Sequence, residues 1–467
     1  MRHAWFISIL LVLPSTLLAD DMITASQRVL QPPPYQPLRY NEDYSYLTNS
    51  ANRIDWLDHI KYIPLRTNDP LWYLTLGGEL RERFEGNYDP NFGIGGVGPN
   101  SYLLQRITML ADVHLGPRVR FFAEGISALQ EGGSQPAPPS QQDPIDLQFA
   151  FLDVVPYLTD DEAFTIRAGR FGLSFGSGRL VDTRPPVNVD FRYDGAELLY
   201  SQPLWSATAF LTQPVKDSGG LNGENHATTF WGLYVTHWFD APHSYGVDLY
   251  YLGIYNKEAT YASGMAAERR QTFGTRQFGQ WKHWDLDTEE IIQTGTFGEN
   301  SVLAWTASLN SGYTLETTWQ PRLGLKVDAA SGSHDANGGQ LGTFNPLFFK
   351  AGYFNDANVI RPQNIIDIHP NIGLKLARTV SVDGGGDVIW RYSKNDAVYN
   401  VPGFIIIPAL QNASSYVGTA ADLNLNWQIQ RHLILQASYV HFFVASYVHE
   451  AGGSGLNYVS TTISFLF

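Results

Sequence analysis

Along most of the chain, hydrophobic residues recur at every second position, the period of a β-strand whose side chains point alternately to two sides. In the segment 72–84, Leu74, Leu76 and Leu80 share one face, and Thr75, Glu79, Arg81 and Arg83 share the other. Ile107, Met109, Ala111, Val113 and Leu115 alternate with Arg106, Thr108, Asp112 and His114. The same pattern returns at Leu323, Leu325 and Val327 against Arg322, Lys326 and Asp328, and at Val388, Trp390 and Tyr392 against Asp387 and Arg391. It is sharpest where Ala421, Leu423, Leu425, Trp427 and Ile429 alternate with Asp422, Asn424, Asn426 and Gln428.

A soluble β-sandwich also alternates, and two features favour a membrane barrel instead. Aromatic residues sit near segment ends on the apolar face (Trp72, Trp319, Trp427, Tyr439), as interfacial girdles require. The stretch Val459 to Phe467 carries apolar residues at alternate positions counted back from Phe467, an ending similar to the C-terminal signal of bacterial outer-membrane barrels. The pattern predicts an all-β fold, a transmembrane antiparallel β-barrel of about 16 to 18 strands. Its expected partners are outer-membrane lipid and, through Phe467, the barrel-assembly machinery.

The first 19 residues read as a signal peptide: Arg2 and His3 precede an apolar run over 4–13, Pro14 and Ser15 break it, and Ala19 is a plausible cleavage point. The run is too short for a membrane-spanning helix. Export to the outer membrane of a Gram-negative cell follows. Residues 20–70, with Pro32, Pro33 and Pro34, do not alternate and form a periplasmic or lead-in segment; residues 71–467 form the barrel. Stretches rich in Pro, Ser, Gly and Gln within 131–143, 216–225 and 329–343 read as long surface loops. No fixed-period repeat occurs, so a single barrel domain is expected.

Composition sharpens this picture. The 467 residues include no cysteine, which removes disulfides, thiolate metal sites and cysteine nucleophiles. The net charge of -14 argues against nucleic-acid binding. Aromatics make up 13% of the chain while mean hydropathy is only -0.18, as in a barrel whose apolar and polar faces cancel. Basic residues fall on the polar phase, and an arginine in lipid costs about 2 to 4 kcal/mol at the midplane, so they should face the lumen. Guanidinium groups there suit anions. Carboxylates on the same phase, among them Glu79, Glu82, Asp112, Glu124, Asp328 and Asp387, could equally neutralise them in salt-bridged networks.

Enzymatic chemistry finds no support. There is no Gly-x-Ser-x-Gly elbow, no phosphate loop ending in Gly-Lys-Ser/Thr and no histidine pair at metal-ligand spacing, so neither a cofactor nor a metal is expected. Asp383-Gly384-Gly385-Gly386-Asp387 reads as a hairpin turn rather than a calcium loop. A barrel hydrolase would need a membrane-level Ser–His pair, and none is identifiable.

Several blocks carry a family resemblance. Ile166-Arg167-Ala168-Gly169-Arg170-Phe171, then Gly176-Ser177-Gly178-Arg179-Leu180-Val181-Asp182, Arg184, Asn188 and Asp194-Gly195-Ala196 form the first. Others are Arg270–Arg276 with Trp281, Trp284 and Asp285; Pro321–Leu325 leading to Thr343–Phe348; Asn364–Pro370; and Trp427 through His441-Phe442-Phe443. With them the chain resembles the alginate-export family of outer-membrane proteins over nearly its whole mature length. The resemblance implies a monomeric barrel of about 18 strands that passes an anionic polysaccharide, alginate or a related polyuronate, through an arginine-rich constriction partly closed by loops. Lumen-lining roles carry over to Arg167, Arg170, Arg179, Arg184, Arg192, Arg276 and Arg322, although Arg170 shares phase with Ile166 and Ala168 and could sit at a strand end. Periplasmic secretion proteins are partners implied by the family alone. The alternatives are a general anion-selective diffusion porin and, ranked below it, an outer-membrane barrel hydrolase.

Overall fold

The computed structural model describes residues 32–96, 98–240, 243–335 and 338–467; the predicted signal peptide lies outside them. Eighteen antiparallel strands close into one barrel. In chain order they are β1 (Trp72–Tyr88), β2 (Asn100–Leu115), β3 (Val119–Gly132), β4 (Asp143–Leu158), β5 (Ala163–Phe171), β6 (Tyr193–Gln202), β7 (Trp205–Pro214), β8 (Thr228–Trp238) and β9 (Tyr245–Tyr261). They continue as β10 (Gly264–Trp281), β11 (Trp284–Phe297), β12 (Asn300–Thr314), β13 (Arg322–Ala330), β14 (Ile365–Ala377), β15 (Val380–Arg391), β16 (Tyr416–Gln430), β17 (Leu433–Val444) and β18 (Leu456–Leu466). Each strand pairs with its sequence neighbours, and β1 pairs with β18, from Glu79 opposite Leu466 to Tyr88 opposite Asn457. No sheet edge is left for lipid, where an unpaired backbone group would cost several kcal/mol.

The connections alternate in length. Turns such as 203–204, 282–283, 378–379 and 431–432 lie at the end where β1 begins, and the segments 172–192, 392–415 and 445–455 lie at the other. This is the asymmetry of outer-membrane barrels, with short periplasmic turns and long external loops. Not every external connection is long: Gly298, at φ 57°, allows a two-residue turn between β11 and β12.

Alternation sorts the two faces as the sequence pattern predicts. Leu80, Phe84, Met109, Leu211, Leu249, Leu323 and Leu423 are exposed on the outer wall, whereas Arg81, Arg83, Thr108, Asp112, Asp248 and Asn424 are buried inside. Exposed Trp205, Trp281, Trp284, Trp319 and Trp427 gather at the short-turn end, as an interfacial belt does.

Two sequence readings need correction. Glu82 follows the lipid-facing phase of Leu80 and Phe84, where Gln105, directly across on β2, donates to it at 2.6 Å; it neutralises no lumen arginine. Asp383 to Asp387 is no hairpin turn but the middle of β15. Glycine is needed there for close approach: a Cβ at Gly385 would collide with His369 Nε2 and the Pro370 carbonyl, and one at Gly384 would press on the Asp422 carbonyl.

The segment before β1 enters the barrel from the short-turn end. The Tyr40 ring packs edge-on against Phe122, Phe149 and Phe151 on the inner wall, and its hydroxyl donates to the Gly172 carbonyl at 2.8 Å. Arg39 donates to the carbonyls of Gly78 (2.9 Å) and Phe467 (3.0 Å), across the seam between β1 and β18. At the rim Trp56 stacks on Phe465, His432 bonds Asp55 at 2.9 Å, and Arg431 donates to the carbonyls of Pro32 and Pro33. The segment is thus a plug fastened to the final strands.

Lys61 in this plug is buried, and its Nζ has no hydrogen-bond partner. Burial, reinforced by Arg39 and Arg431 against the opposite pull of Glu42 and Asp55, lowers its pKa from 10.5 to about 7. An unseated plug therefore binds more protons between these values, so seating weakens as pH falls toward about 7, by at most about 1.4 kcal/mol per pH unit. Channel conductance in planar bilayers is expected to rise when the periplasmic-side buffer is shifted from about pH 9 to about pH 6. Lys61→Met should remove that pH dependence.

A candidate constriction inside the barrel

The interior is set by which charged side chains the alternation turns inward and by what the long connections do among them. The connection 172–192, between β5 and β6, crosses the lumen as a strap. On one wall Arg81 of β1 donates to the carbonyls of Pro185 (2.8 Å) and Val187 (3.0 Å) and to Asn188 Oδ1 (3.0 Å). Asn188, fully buried, donates in turn to the carbonyls of Gln105, Leu129 and Gln141. Arg106 of β2 is held between Glu79 (2.6 Å) and Asp190 of the strap (3.2 Å). Toward the other wall, Arg179 reaches Asp287 (3.0 Å) and Glu289 (3.1 Å) on β11.

A second inner loop, 338–364, lies along the strap. Val181 and Phe348 form a parallel bridge, with Asp182 N–H donating to the Phe348 carbonyl and Phe348 N–H to the Leu180 carbonyl. Phe348 packs against Phe191 of the strap and against Tyr193 and Phe230 of the wall, so the two loops and the strands β6 and β8 share one apolar cluster. Polar bonds fix the inner loop to the wall: Tyr353 to Asp328 and Asn355 to Asp387, both at 2.7 Å, and Asn345 to Gln293. Lys326 Nζ donates to the Tyr353 carbonyl at 2.7 Å.

The predicted arginines divide into groups. Arg167 is clamped by Asp153 (2.8 Å) and Glu197 (3.3 Å) beneath the Tyr40 ring of the plug. Arg276 bridges Asp248 (2.8 Å) and Asp287 (2.6 Å), and Arg322 bonds Asp285 (2.8 Å). Arg179 and Arg276 share Asp287 beside the strap, whereas Arg167 sits under the plug and Arg322 opens β13 at the short-turn end. Arg184, at φ 58°, bonds the Val189 carbonyl and Asp217 and covers the Phe191 ring. Arg192, fully buried, bonds Asp146 at 2.6 Å. Arg184 and Arg192 thus hold the strap to 215–227.

Arg170 does not join Arg167. The register runs unbroken from Ile166 to Phe171, so residues three apart point to opposite faces. Arg170 sits at the end of β5, bonded to Asp194 (2.8 Å) and to the carbonyls of Leu147 and Asn222.

Every one of these guanidinium groups has carboxylate partners, so the lumen is a mixed-charge network rather than a bare positive lining. Burial opposes the charge on Arg179, but Tyr353, Glu289, Asp328 and Asp287 together outweigh it and hold its pKa well above the ordinary value. Sequence reasoning named these bases and missed most of their acids: Asp153, Glu197, Asp248, Asp285, Asp287 and Glu289. Each lies on the polar phase of its strand, and that phase was the available signal.

A closed barrel of this size, narrowed by loops folded into its bore, defines a porin-like outer-membrane channel. The chain belongs to the alginate-export family, whose model, described as "Alginate export", matches residues 72–462. Among solved structures it is similar to Acinetobacter baumannii OccAB4 (TM-score 0.55, 11% identity, 84% of this chain and 97% of that one). It is also similar to Pseudomonas aeruginosa OccD3 (OpdP), with TM-score 0.55, 10% identity, and 88% and 93% of the two chains covered. Pseudomonas aeruginosa OccK2 (OpdF), solved in complex with glucuronate, matches at TM-score 0.54 and 8% identity over 84% of this chain and 96% of that one. At these identities the likeness is one of fold. No curated protein matches the sequence.

Removing a latch should release the strap. Arg106→Met leaves the half-buried Glu79 and Asp190 without this cation, a loss of about 1.5–3 kcal/mol. The expected result is protease cleavage within 172–192 and larger single-channel conductance, with heat-modifiable gel migration showing that the barrel remains closed.

Proposed function

We propose that this outer-membrane channel conducts an anionic polysaccharide, alginate or a related polyuronate, or its oligomers. The observation that carries the reading is the set Arg167, Arg179, Arg276 and Arg322, four guanidinium groups from different elements, each bonded to wall carboxylates, with Arg179 and Arg276 sharing Asp287 where the strap meets the wall. A guanidinium carries five N–H donors in a fork, so an arginine that keeps its wall carboxylate can still offer a further N–H to the carboxylate of a passing uronate. Spacing such sites along the lumen suits a chain bearing one carboxylate per sugar. Family membership supports the same cargo. Transport, not catalysis, is the activity proposed.

The partners follow from this reading. Phe467 serves the barrel-assembly machinery, periplasmic secretion proteins deliver or receive the polymer at the plugged end, and the protein works as a monomer in outer-membrane lipid. A general anion-selective porin is the competing reading, which the following measurement separates.

The test is the zero-current potential in a planar bilayer under a salt gradient, before and after addition of oligo-uronate. Anion preference with block by the oligomer is expected. Arg276→Gln and Arg322→Gln should each weaken block by about tenfold to a hundredfold, the loss of one charge-assisted hydrogen bond. Anion preference without block would make the protein a general porin, and cation preference would overturn the reading.

A further inference from the structure

Asp367 and His369 are two positions apart on β14 and therefore share its inner face. The register sets Ile368 opposite Val388 of β15, which brings Asp387 against His369. One ligand atom from each of Asp367, His369 and Asp387 lies within 4.8 Å of the others, and all three side chains are buried. His369 Nδ1 is 2.6 Å from Asp387 Oδ1, and the second oxygen of Asp387 accepts from Asn355 of the inner loop.

Asp367 is the anomaly. It is 0% exposed, and neither of its carboxylate oxygens has a hydrogen-bond partner. A buried carboxylate in this condition loses its hydration without compensation, and a second carboxylate close by raises the cost. Nearby cations are committed elsewhere. Lys326, directly across from His369, donates to the Tyr353 carbonyl and faces Asp328 at 3.4 Å; Arg179 lies nearer Asp287, Glu289 and Asp328. Asp422 on β16, 3.6 Å from His369 Nε2, adds another negative group.

The geometry points to a binding site for one divalent transition-metal ion, formed by Asp367, His369 and Asp387 on the lumen wall. One imidazole nitrogen and two carboxylate oxygens form a mixed N/O set that suits zinc or manganese better than calcium or magnesium, which take oxygen alone. The ion supplies the partner that Asp367 lacks and neutralises the pair of aspartates. Gly385 belongs to the same device, since any side chain there would strike the His369 ring. Through the Asn355–Asp387 bond the ion also fixes the inner loop to β15. Sequence spacing hid the site, because Asp387 is brought in by strand pairing and the Asp-x-His pair is spaced for a strand rather than a helix.

The test uses the full-length, tag-free protein in detergent, treated with chelator, dialysed and titrated with zinc chloride by calorimetry. One equivalent is expected to bind with micromolar or tighter affinity. Asp367→Asn and His369→Gln, each checked for a closed barrel by heat-modifiable migration, should weaken binding at least tenfold. Wild-type protein that binds no stoichiometric zinc would overturn the site. So would an Asp367→Asn protein that binds as the wild type does. Neither outcome bears on uronate block, which stands or falls separately.

Discussion

In hydrocarbon no water is present to bond a free N–H or carbonyl, so a chain that crosses as strands must close on itself. Here closure depends on one seam, where Glu79–Tyr88 of β1 pairs with Asn457–Leu466 of β18. Once the sheet is closed, each strand has only two directions in which to point its side chains. Apolar residues take the outward one, and charged residues are left to share a confined interior. Most of what is distinctive inside this protein is a response to that crowding.

Charges withdrawn from bulk water must be matched, and a half-matched network costs more than an apolar filling. The wall meets this requirement with pairs between strands, such as Arg167 with Asp153 and Arg322 with Asp285, and with tyrosines that cap surplus carboxylates, as Tyr234 caps Asp248 and Tyr250 caps Glu289. The long connections complete the matching. The strap offers backbone carbonyls to Arg81 and a carboxylate to Arg106, so that it is drawn inward by bases on the wall. Narrowing of the bore and neutralisation of the wall are therefore one structural event.

How much of this could be read from sequence follows from the range of each interaction. Alternation is local, so the barrel, the approximate strand number and the inward phase of Arg81 and Arg106 were legible. The partners were not, because Arg179 meets Glu289 across the lumen and Arg81 meets a loop carbonyl that carries no side-chain signature. The glycines at 384–386 were misread as a turn because glycine marks both a bend and a close approach, and only the ring of His369 reveals which applies. Arg170 shares its phase with Ile166 and Ala168, and it is bonded to Asp194 at the strand end. Asp367, His369 and Asp387 escaped notice because spacing rules for metal ligands are drawn from helices and loops.

The two acceptors of Arg39 belong to opposite ends of the folded sheet. The carbonyl of Gly78 is on the first strand and that of Phe467 follows the last, with the rest of the barrel between them in sequence. They lie side by side only once the seam has zipped. Arg39 can therefore make both bonds only where β1 has met β18, so this fastening of the leading segment reports that the sheet has closed.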